Sequence, residues 1–195
     1  MAAVAPALTR TEDPLERTAL TEDDETRLRE AAKRYFADVW RFLRRLGVPD
    51  VALDDAAQEV FLVAIRRFAD IRPGAEKSYL LGTAVRVAKV HGRKHAREEL
   101  LADPDDERTE PATFSTPEDS VHQMQEHALL MQLLEGLPDD LRTVFVLFEI
   151  EGESVVSIAT ALEIPQGTVA SRLRRAREKF ELRLARLQSR MREET

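Results

Sequence analysis

Residues Ser154–Phe180 of this chain are SVVSIATALEIPQGTVASRLRRAREKF, two short helical patterns separated by a turn. Ser154 stands where the N-cap of the first helix is expected, and Pro165 and Gly167 predict the turn. The apolar residues of the first pattern recur at the helical period; they are Val155, Ile158, Ala159 and Leu162. This layout is that of a helix-turn-helix, a module that places its second helix in the major groove of DNA.

The second pattern separates an apolar face from a cationic one. The apolar face consists of Val169, Leu173, Ala176 and Phe180. The opposite face consists of Gly167, Ser171, Arg174, Arg175 and Glu178. Residues Arg172–Arg190 hold eight Lys or Arg against two Glu, in a chain whose net charge is -7. Local basicity against the sign of the whole chain is typical of phosphate binding. We therefore favour DNA binding over a solvated amphipathic hairpin.

Composition restricts the fold and the compartment. The chain has 195 residues, of which 43% are hydrophobic and 33% charged. Three long stretches show helical periodicity and no long alternating run is present, so we predict an all-α fold. Because there is no cysteine, disulfides and thiolate zinc fingers are excluded. No signal peptide or long apolar run is evident, and we expect a cytoplasmic protein.

An acidic stretch divides the chain into two helical domains. Residues 99–119 hold eight carboxylates, one Arg and three Pro, a composition that cannot bury a core of its own. We predict a flexible acidic tail, a first domain, an acidic linker and a second domain with the helix-turn-helix, at residues 1–25, 26–98, 99–120 and 121–195.

Two surfaces of the first domain are candidate binding surfaces. One helix buries a broad apolar face, and its opposite side carries Asp55, Gln58, Glu59, Leu62 and Arg66. Leu62 is apolar on a polar stripe; an ordinary exposed Leu and a protein docking face both remain open. The next helix has six Lys or Arg and no carboxylate between Lys77 and Arg97. Charge of a single sign favours nucleic acid over a solvated face, which usually alternates charges.

No pattern indicates an enzyme. His91 and His95 share a helix face, but Gly92 stands where a metalloprotease has Glu, and no third ligand is suggested. The chain has no P-loop, dinucleotide fingerprint or nucleophile elbow. We therefore predict no catalytic residue, no metal and no cofactor.

Four stretches together resemble the extracytoplasmic-function sigma factors, small two-domain initiation subunits of bacterial RNA polymerase. They are DDAAQEVFLVAIRRF at 54–68, KSYLLGTAVRVAKVHGRKHAR at 77–97, LEGLPDDLRTVFVLFEIEG at 134–152, and the helix-turn-helix. The resemblance covers about residues 30–186 and implies a sigma factor that binds core polymerase, recognises the minus-ten and minus-thirty-five promoter elements and promotes strand opening. It also implies an anti-sigma partner.

The resemblance assigns roles to residues. It implies that the polymerase contacts are Asp55, Gln58, Glu59, Leu62 and Arg66. It implies that the minus-ten element meets Arg72, Lys77, Tyr79, Arg86, Lys89, Arg93, Lys94 and Arg97. It implies that the minus-thirty-five element meets Gln166, Thr168, Ser171, Arg172, Arg174, Arg175 and Arg177.

Some positions depart from the family pattern. Val87 stands where Asn is common, Tyr79 where Trp is common, and Ala170 where Lys is common. Val87 bears on the sequence preference at the minus-ten element rather than on the role, and Ala170 removes one expected phosphate contact at the upstream site. If the two promoter elements lie about 50–60 Å apart, the linker is long enough to join domains bound to both, because residues 98–120 extend to roughly 75 Å.

Two other functions stay open at the level of sequence. One is a free-standing regulator with a helix-turn-helix output domain; the second basic helix counts against it, because an interaction domain needs no further DNA surface. The other is a helical adaptor that has lost DNA binding.

Overall fold

The computed structural model describes the backbone of residues 21–101 and 121–193, and the side chains of 21–92, 126–190 and 192. Every regular element in these ranges is helical, which confirms the expected all-α fold. The helices are α1 (Glu22–Arg45), α2 (Leu53–Ile65), α3 (Glu76–Leu101), α4 (Val121–Glu135), α5 (Asp139–Phe145), α6 (Val155–Leu162) and α7 (Gln166–Glu193). Short 3-10 turns span Asp50–Ala52 and Phe68–Asp70, and a π-helical turn spans Val146–Ile150. Residues 1–20 of the predicted tail and 102–120 of the predicted linker lie outside the described residues.

Helix α1 begins four residues before the predicted start of the first domain. Its N-terminus is a capping box: Thr21 Oγ1 accepts a hydrogen bond from the Asp24 amide at 3.1 Å, and the Asp24 carboxylate accepts one from the Thr21 amide at 3.4 Å. The hydroxyl of Thr21 lowers the pKa of Asp24. These reciprocal bonds satisfy amides that lack partners inside the helix, so the helix starts at Glu22.

Helices α1, α2 and α3 pack around a common apolar centre. The predicted inward face of α2 is buried throughout: Leu53, Ala56, Ala57, Val60, Phe61 and Ala64. The helix ends at Ile65, earlier than its pattern suggests, and Phe68 and Ile71 instead pack with Ala31 in a small separate cluster. Phe36 of α1 is 44% exposed and stacks on Phe61 with centroids 5.7 Å apart.

Helices α5, α6 and α7 form the second group, and α4 packs against α7. The expected inner face of α7 is buried at Val169, Leu173 and Ala176. Phe145 and Phe180 stack with their ring centroids 4.7 Å apart. This packing fixes the cationic face of α7 on the opposite side.

The two helical groups also pack against each other, which no sequence pattern indicated. One continuous apolar cluster includes residues of both groups, and α3 lies against α6. Arg142 of α5 donates to the Leu46 carbonyl at 3.2 Å, at the end of α1. No helix in the described ranges combines the length and apolar character needed to cross a bilayer.

Candidate nucleic-acid interface

The helix-turn-helix is formed by α6 and α7. Ser154 caps α6, accepting from the Ser157 amide at 3.1 Å as expected. The residue that reverses the chain is Glu163, at φ 55 and ψ 41, and not the predicted Gly167, which lies inside α7. Glu163 takes the left-handed conformation because the Ile164 amide must turn back to the Ala159 carbonyl, at 3.1 Å.

The predicted contacts on α7 fall into two groups. Gln166, Ser171, Arg174 and Arg175 are exposed, and the last three share the face opposite the core. Arg172 and Arg177 instead turn toward their own domain: Arg172 Nε lies 3.3 Å from Asp140, and Arg177 Nε donates to Glu149 at 2.6 Å. Thr168 is half-buried, and its carbonyl accepts from the Ser171 hydroxyl at 3.0 Å.

The two outward arginines differ in their partners. Arg174 is paired with Glu178 at 2.5 Å, one helical turn away. Arg175 forms no ion pair within the part of the chain that the structure describes; its Nε donates to the Ser171 carbonyl at 3.4 Å. A guanidinium without a carboxylate keeps its paired donors available for phosphate or for a guanine edge.

A cleft beside α3 brings several of the predicted minus-ten residues together. It has a volume of about 540 Å³ and is lined by Arg72, Tyr79 and Arg86. Arg67, which sequence reasoning did not select, lines it too. The opposite wall comes from α6: Ser157, Thr160 and Ala161. The cleft thus combines three guanidinium groups with an aromatic ring.

The other predicted minus-ten residues lie apart from the cleft lining. Lys89 is exposed farther along α3, and Lys77 turns toward the second helical group, where its Nζ donates to the Glu151 carbonyl at 2.9 Å. The backbone of Arg93, Lys94 and Arg97 continues α3, but their side chains lie outside the described residues.

The turn before α3 is anchored to α1 by one arginine. Arg27 donates from Nη2 to Glu76 at 2.8 Å and to the Ile71 carbonyl at 3.0 Å, and its guanidinium lies 5.1 Å from the ring centroid of Phe68. Burial acts to raise the pKa of Glu76, but hydrogen bonds from Arg27 and from backbone amides outweigh it, and the pKa is lowered. These contacts fix where the basic helix begins.

The residues of the predicted stripe lie together on the outward side of α2. Asp55, Gln58 and Arg66 are exposed. Glu59 is half-exposed, and its carboxylate lies 3.0 Å from Nε2 of His91 on α3. Leu62 is 51% exposed, as its pattern suggested.

Leu62 is accompanied by other apolar side chains that sequence reasoning missed. Ile65, three residues along the same helix, is 39% exposed, and Phe36 is exposed beside Phe61. Two exposed apolar side chains one turn apart on α2, with a third exposed on α1, are a stronger sign of a protein contact than one leucine.

The histidine pair gives no support to a metal site. His91 faces Glu59, and the side chain of His95 lies outside the described residues. Among the side chains that the structure describes, no group of three His, Cys, Asp or Glu could hold a metal ion.

Comparison with known proteins identifies the family. Residues 31–98 match Sigma-70 region 2, and residues 127–180 match Sigma-70, region 4. The ECF RNA polymerase sigma-E factor of Haemophilus influenzae is 34% identical over 150 residues, which cover 72% of this chain and 76% of that protein. The chain belongs to the ECF sigma factors. The RNA polymerase sigma-H factor of Pseudomonas aeruginosa is 36% identical over 133 residues, or 64% of this sigma factor and 68% of its relative.

A solved structure shares the fold. The sigma factor RpoE of Bartonella quintana, solved in complex with the anti-sigma factor NepR, superposes with a TM-score of 0.61 at 20% identity. The superposition covers 85% of this chain and 98% of that one. The expected fold and function are therefore confirmed: this is an all-helical RNA polymerase sigma factor that recognises promoters. The roles of its individual residues remain predictions.

Sequence reasoning missed the side of α3 that contacts the second half of the sigma factor. Leu81, Gly82 and Val85 are buried there. Gly82 could have revealed this contact, because glycine inside a helix costs about 1 kcal/mol relative to alanine and a close packing partner is one reason to keep it.

Proposed function

We propose that this ECF sigma factor divides its work among three surfaces. The exposed stripe of α2 docks on core RNA polymerase, the cleft beside α3 holds the melted minus-ten strand, and the outward face of α7 contacts the minus-thirty-five duplex. The observation that carries the proposal is the exposure of Ser171, Arg174 and Arg175 on one face of the second helix of a helix-turn-helix. The sigma factor performs no catalysis itself in this scheme.

On α7, the ion pairs distinguish the arginine that is available to DNA from those that carboxylates hold. Arg175 is the strongest candidate for a base contact because no carboxylate holds it in the described part of the chain. Arg174 must leave Glu178 before it binds DNA. Arg172 and Arg177 support the helix through Asp140 and Glu149 and contact phosphates at most.

At α3, the cleft provides what a melted strand needs. Arg67, Arg72 and Arg86 supply positive charge, and Tyr79 supplies an aromatic ring on which an unstacked base can lie. Stacking of this kind contributes about 1–3 kcal/mol per base, enough to offset much of the cost of extruding one base. Val87 is only 4% exposed, so we assign it no contact with DNA.

On α2, the mixture of polar and apolar groups fits a protein partner better than DNA. Leu62, Ile65 and Phe36 provide apolar area, while Gln58 and Asp55 provide acceptors at its edge. Acidic groups on this face would repel phosphates, so core polymerase is the partner that we assign to it.

We infer two further properties of this chain. The Bartonella quintana sigma factor was solved with an anti-sigma factor, and we infer a partner of that class here. Because the sigma factor acts on RNA polymerase and DNA, we place it in the cytoplasm.

Run-off transcription tests the proposal directly. Purified core polymerase is mixed with this sigma factor and a DNA library, with Leu62→Ala and Gln58→Ala as docking variants. Lys33→Ala, on an exposed part of α1, is the matched control. Specific transcripts that disappear in the docking variants and persist in the control support the proposal. Inactive polymerase together with tight DNA binding by the protein alone would instead indicate a free-standing regulator.

A further inference from the structure

A histidine of the basic helix α3 contacts the exposed stripe of α2 that we propose to dock on polymerase. Nε2 of His91 lies 3.0 Å from Oε2 of Glu59. The side chain of His91 is only 17% exposed, whereas that of Glu59 is 46% exposed. None of the three proposed binding surfaces includes His91, so this largely covered imidazole has no function assigned to it.

Helix α2 itself provides no cation for Glu59. The residues one turn before and one turn after it on α2 are Asp55, Ala56, Leu62 and Val63. Asp55 has the same charge as Glu59, and like charges four residues apart on a helix repel each other. A stabilising partner for the Glu59 carboxylate must therefore come from another helix. Helix α3 packs against α2 and supplies His91.

Glu59 differs from the other polar residues of the stripe because its side chain is held. Asp55, Gln58 and Arg66 are exposed, and their side chains make no hydrogen bond or ion pair with another residue in the described ranges. A long side chain that is free must be ordered when a partner binds it, and this ordering weakens the association. The contact with His91 orders the Glu59 side chain in advance.

The same contact leaves part of the Glu59 carboxylate for a partner. Oε2 faces His91, and both oxygens of an ionised carboxylate can accept hydrogen bonds. Because nearly half of the Glu59 side chain is exposed, an arginine or lysine of a docking protein can approach Oε1 while Oε2 stays on the imidazole. His91 thus orients the carboxylate without covering it.

We propose that His91 is a positioning residue of the polymerase-docking surface: it holds the Glu59 carboxylate in the orientation in which a cationic side chain of core RNA polymerase binds it. The inference rests on the docking role proposed for α2. It also gives α3 a part in polymerase binding, in addition to the DNA contacts proposed for that helix.

Binding of the full-length sigma factor to core polymerase tests this inference. The dissociation constant is measured by competition against a fluorescently labelled wild-type sigma factor. The competitors are the unlabelled wild type, His91→Leu, Glu59→Ala and the double variant. Val90→Ala, at the exposed position next to His91, is the matched control. Urea unfolding of each protein shows whether a variant has lost its fold instead of one contact.

We expect His91→Leu to weaken binding about threefold to tenfold, as for one additional side chain that must be ordered on association. In the Glu59→Ala background the same change should add less than about twofold, because a residue that acts only through Glu59 is not additive with it. His91→Gln, whose amide can still donate to a carboxylate, should recover most of the affinity. Val90→Ala should bind like the wild type.

Two results would overturn the inference. One is wild-type affinity in His91→Leu; the other is an equal loss with and without Glu59, since His91 would then act independently of the carboxylate. If His91→Leu does not fold, His91→Asn decides in its place, because it is polar but shorter than histidine: a similar loss supports the inference and wild-type affinity overturns it.

Leu62→Ala separates a failure of the inference from a failure of the docking role. If Leu62→Ala and Glu59→Ala both bind polymerase like the wild type, the docking surface proposed on α2 is wrong, and the inference fails with it. If both variants lose affinity while His91→Leu keeps it, the docking surface stands and only the role of His91 is wrong.

Discussion

Helices α3 and α7 are both rich in cations, but other segments cover the first turns of α3 and leave the outward face of α7 exposed. The outward face of α7 is left uncovered by the described part of the chain: Arg174 on it pairs with Glu178 of the same helix, and carboxylates of other segments hold the flanking Arg172 and Arg177. The first turns of α3, in contrast, are met by Glu151, Glu153 and Ala161. Excess positive charge therefore indicates a nucleic-acid surface but does not show whether that surface is accessible.

The comparison also separates two kinds of DNA contact. A helix for duplex DNA needs a free face that fits a groove, which α7 offers. A surface for a melted strand needs cations around an aromatic platform, and the cleft beside α3 offers both.

The largest effect should come from Arg175→Ala on the uncovered face. We expect binding to a minus-thirty-five duplex to weaken by about 2 kcal/mol, roughly thirtyfold, as for loss of a bidentate guanine contact. Fluorescence anisotropy at fixed salt measures it. Arg172→Ala is the comparison, since Asp140 already holds that guanidinium. A larger loss for Arg172→Ala than for Arg175→Ala would reverse our ranking.

The next effect should come from Tyr79→Ala in the covered helix. Loss of one stacked base should lower open-complex formation about tenfold, or about 1.4 kcal/mol, as measured by permanganate reactivity of unpaired thymines. Tyr79→Phe keeps the ring and serves as the control for packing against the neighbouring Phe68 cluster. Equal defects in both variants would show that the hydroxyl, not the ring, matters.

A smaller effect concerns the turn that orients α7. Glu163 adopts φ 55, a conformation that costs a non-glycine residue roughly 1–2 kcal/mol. Glu163→Gly should therefore raise the free energy of unfolding by about 1 kcal/mol, as measured by urea denaturation. Gly167→Ala, at an open helical position, is the control that should also be tolerated. A destabilised Glu163→Gly protein would contradict the assigned turn.

The smallest effect concerns the anchor of α3. The pKa of Glu76 is lowered in the folded protein, so its contribution to stability is present above the ordinary value of 4.5 and is lost as the pH falls through the lower folded value. Asp24, which also faces Arg27, has the same sign. Melting temperatures should fall below pH 4.5, and less steeply in Glu76→Gln. Identical pH profiles for the two proteins would exclude Glu76 as a contributor.

Much of this architecture follows from local sequence. The period of Val169, Leu173 and Ala176 predicts the buried face of α7, and Ser154 predicts the start of α6; both are found in the structure. These features depend on residues close in the chain, where helical geometry alone decides which side chains share a face.

Contacts between distant residues could not be predicted in this way. Glu151 and Lys77 are 74 residues apart, and no periodicity relates them. Helical geometry places Arg175 and not Arg172 on the face opposite the core, but only the structure shows that Asp140 holds Arg172. Pro165 lies between α6 and α7 as predicted, but Gly167 lies inside α7. Glycine is the usual left-handed residue at a helix end, and Glu163 gives no local sign of that role.

Footprinting of promoter DNA by the assembled polymerase tests the central claim most directly, namely that α7 and α3 contact separate promoter elements. The wild-type sigma factor is compared with Arg175→Ala and Arg86→Ala on one promoter. We expect Arg175→Ala to lose upstream protection and Arg86→Ala to keep it while losing strand opening downstream. Loss of the same protected region in both variants would contradict the account.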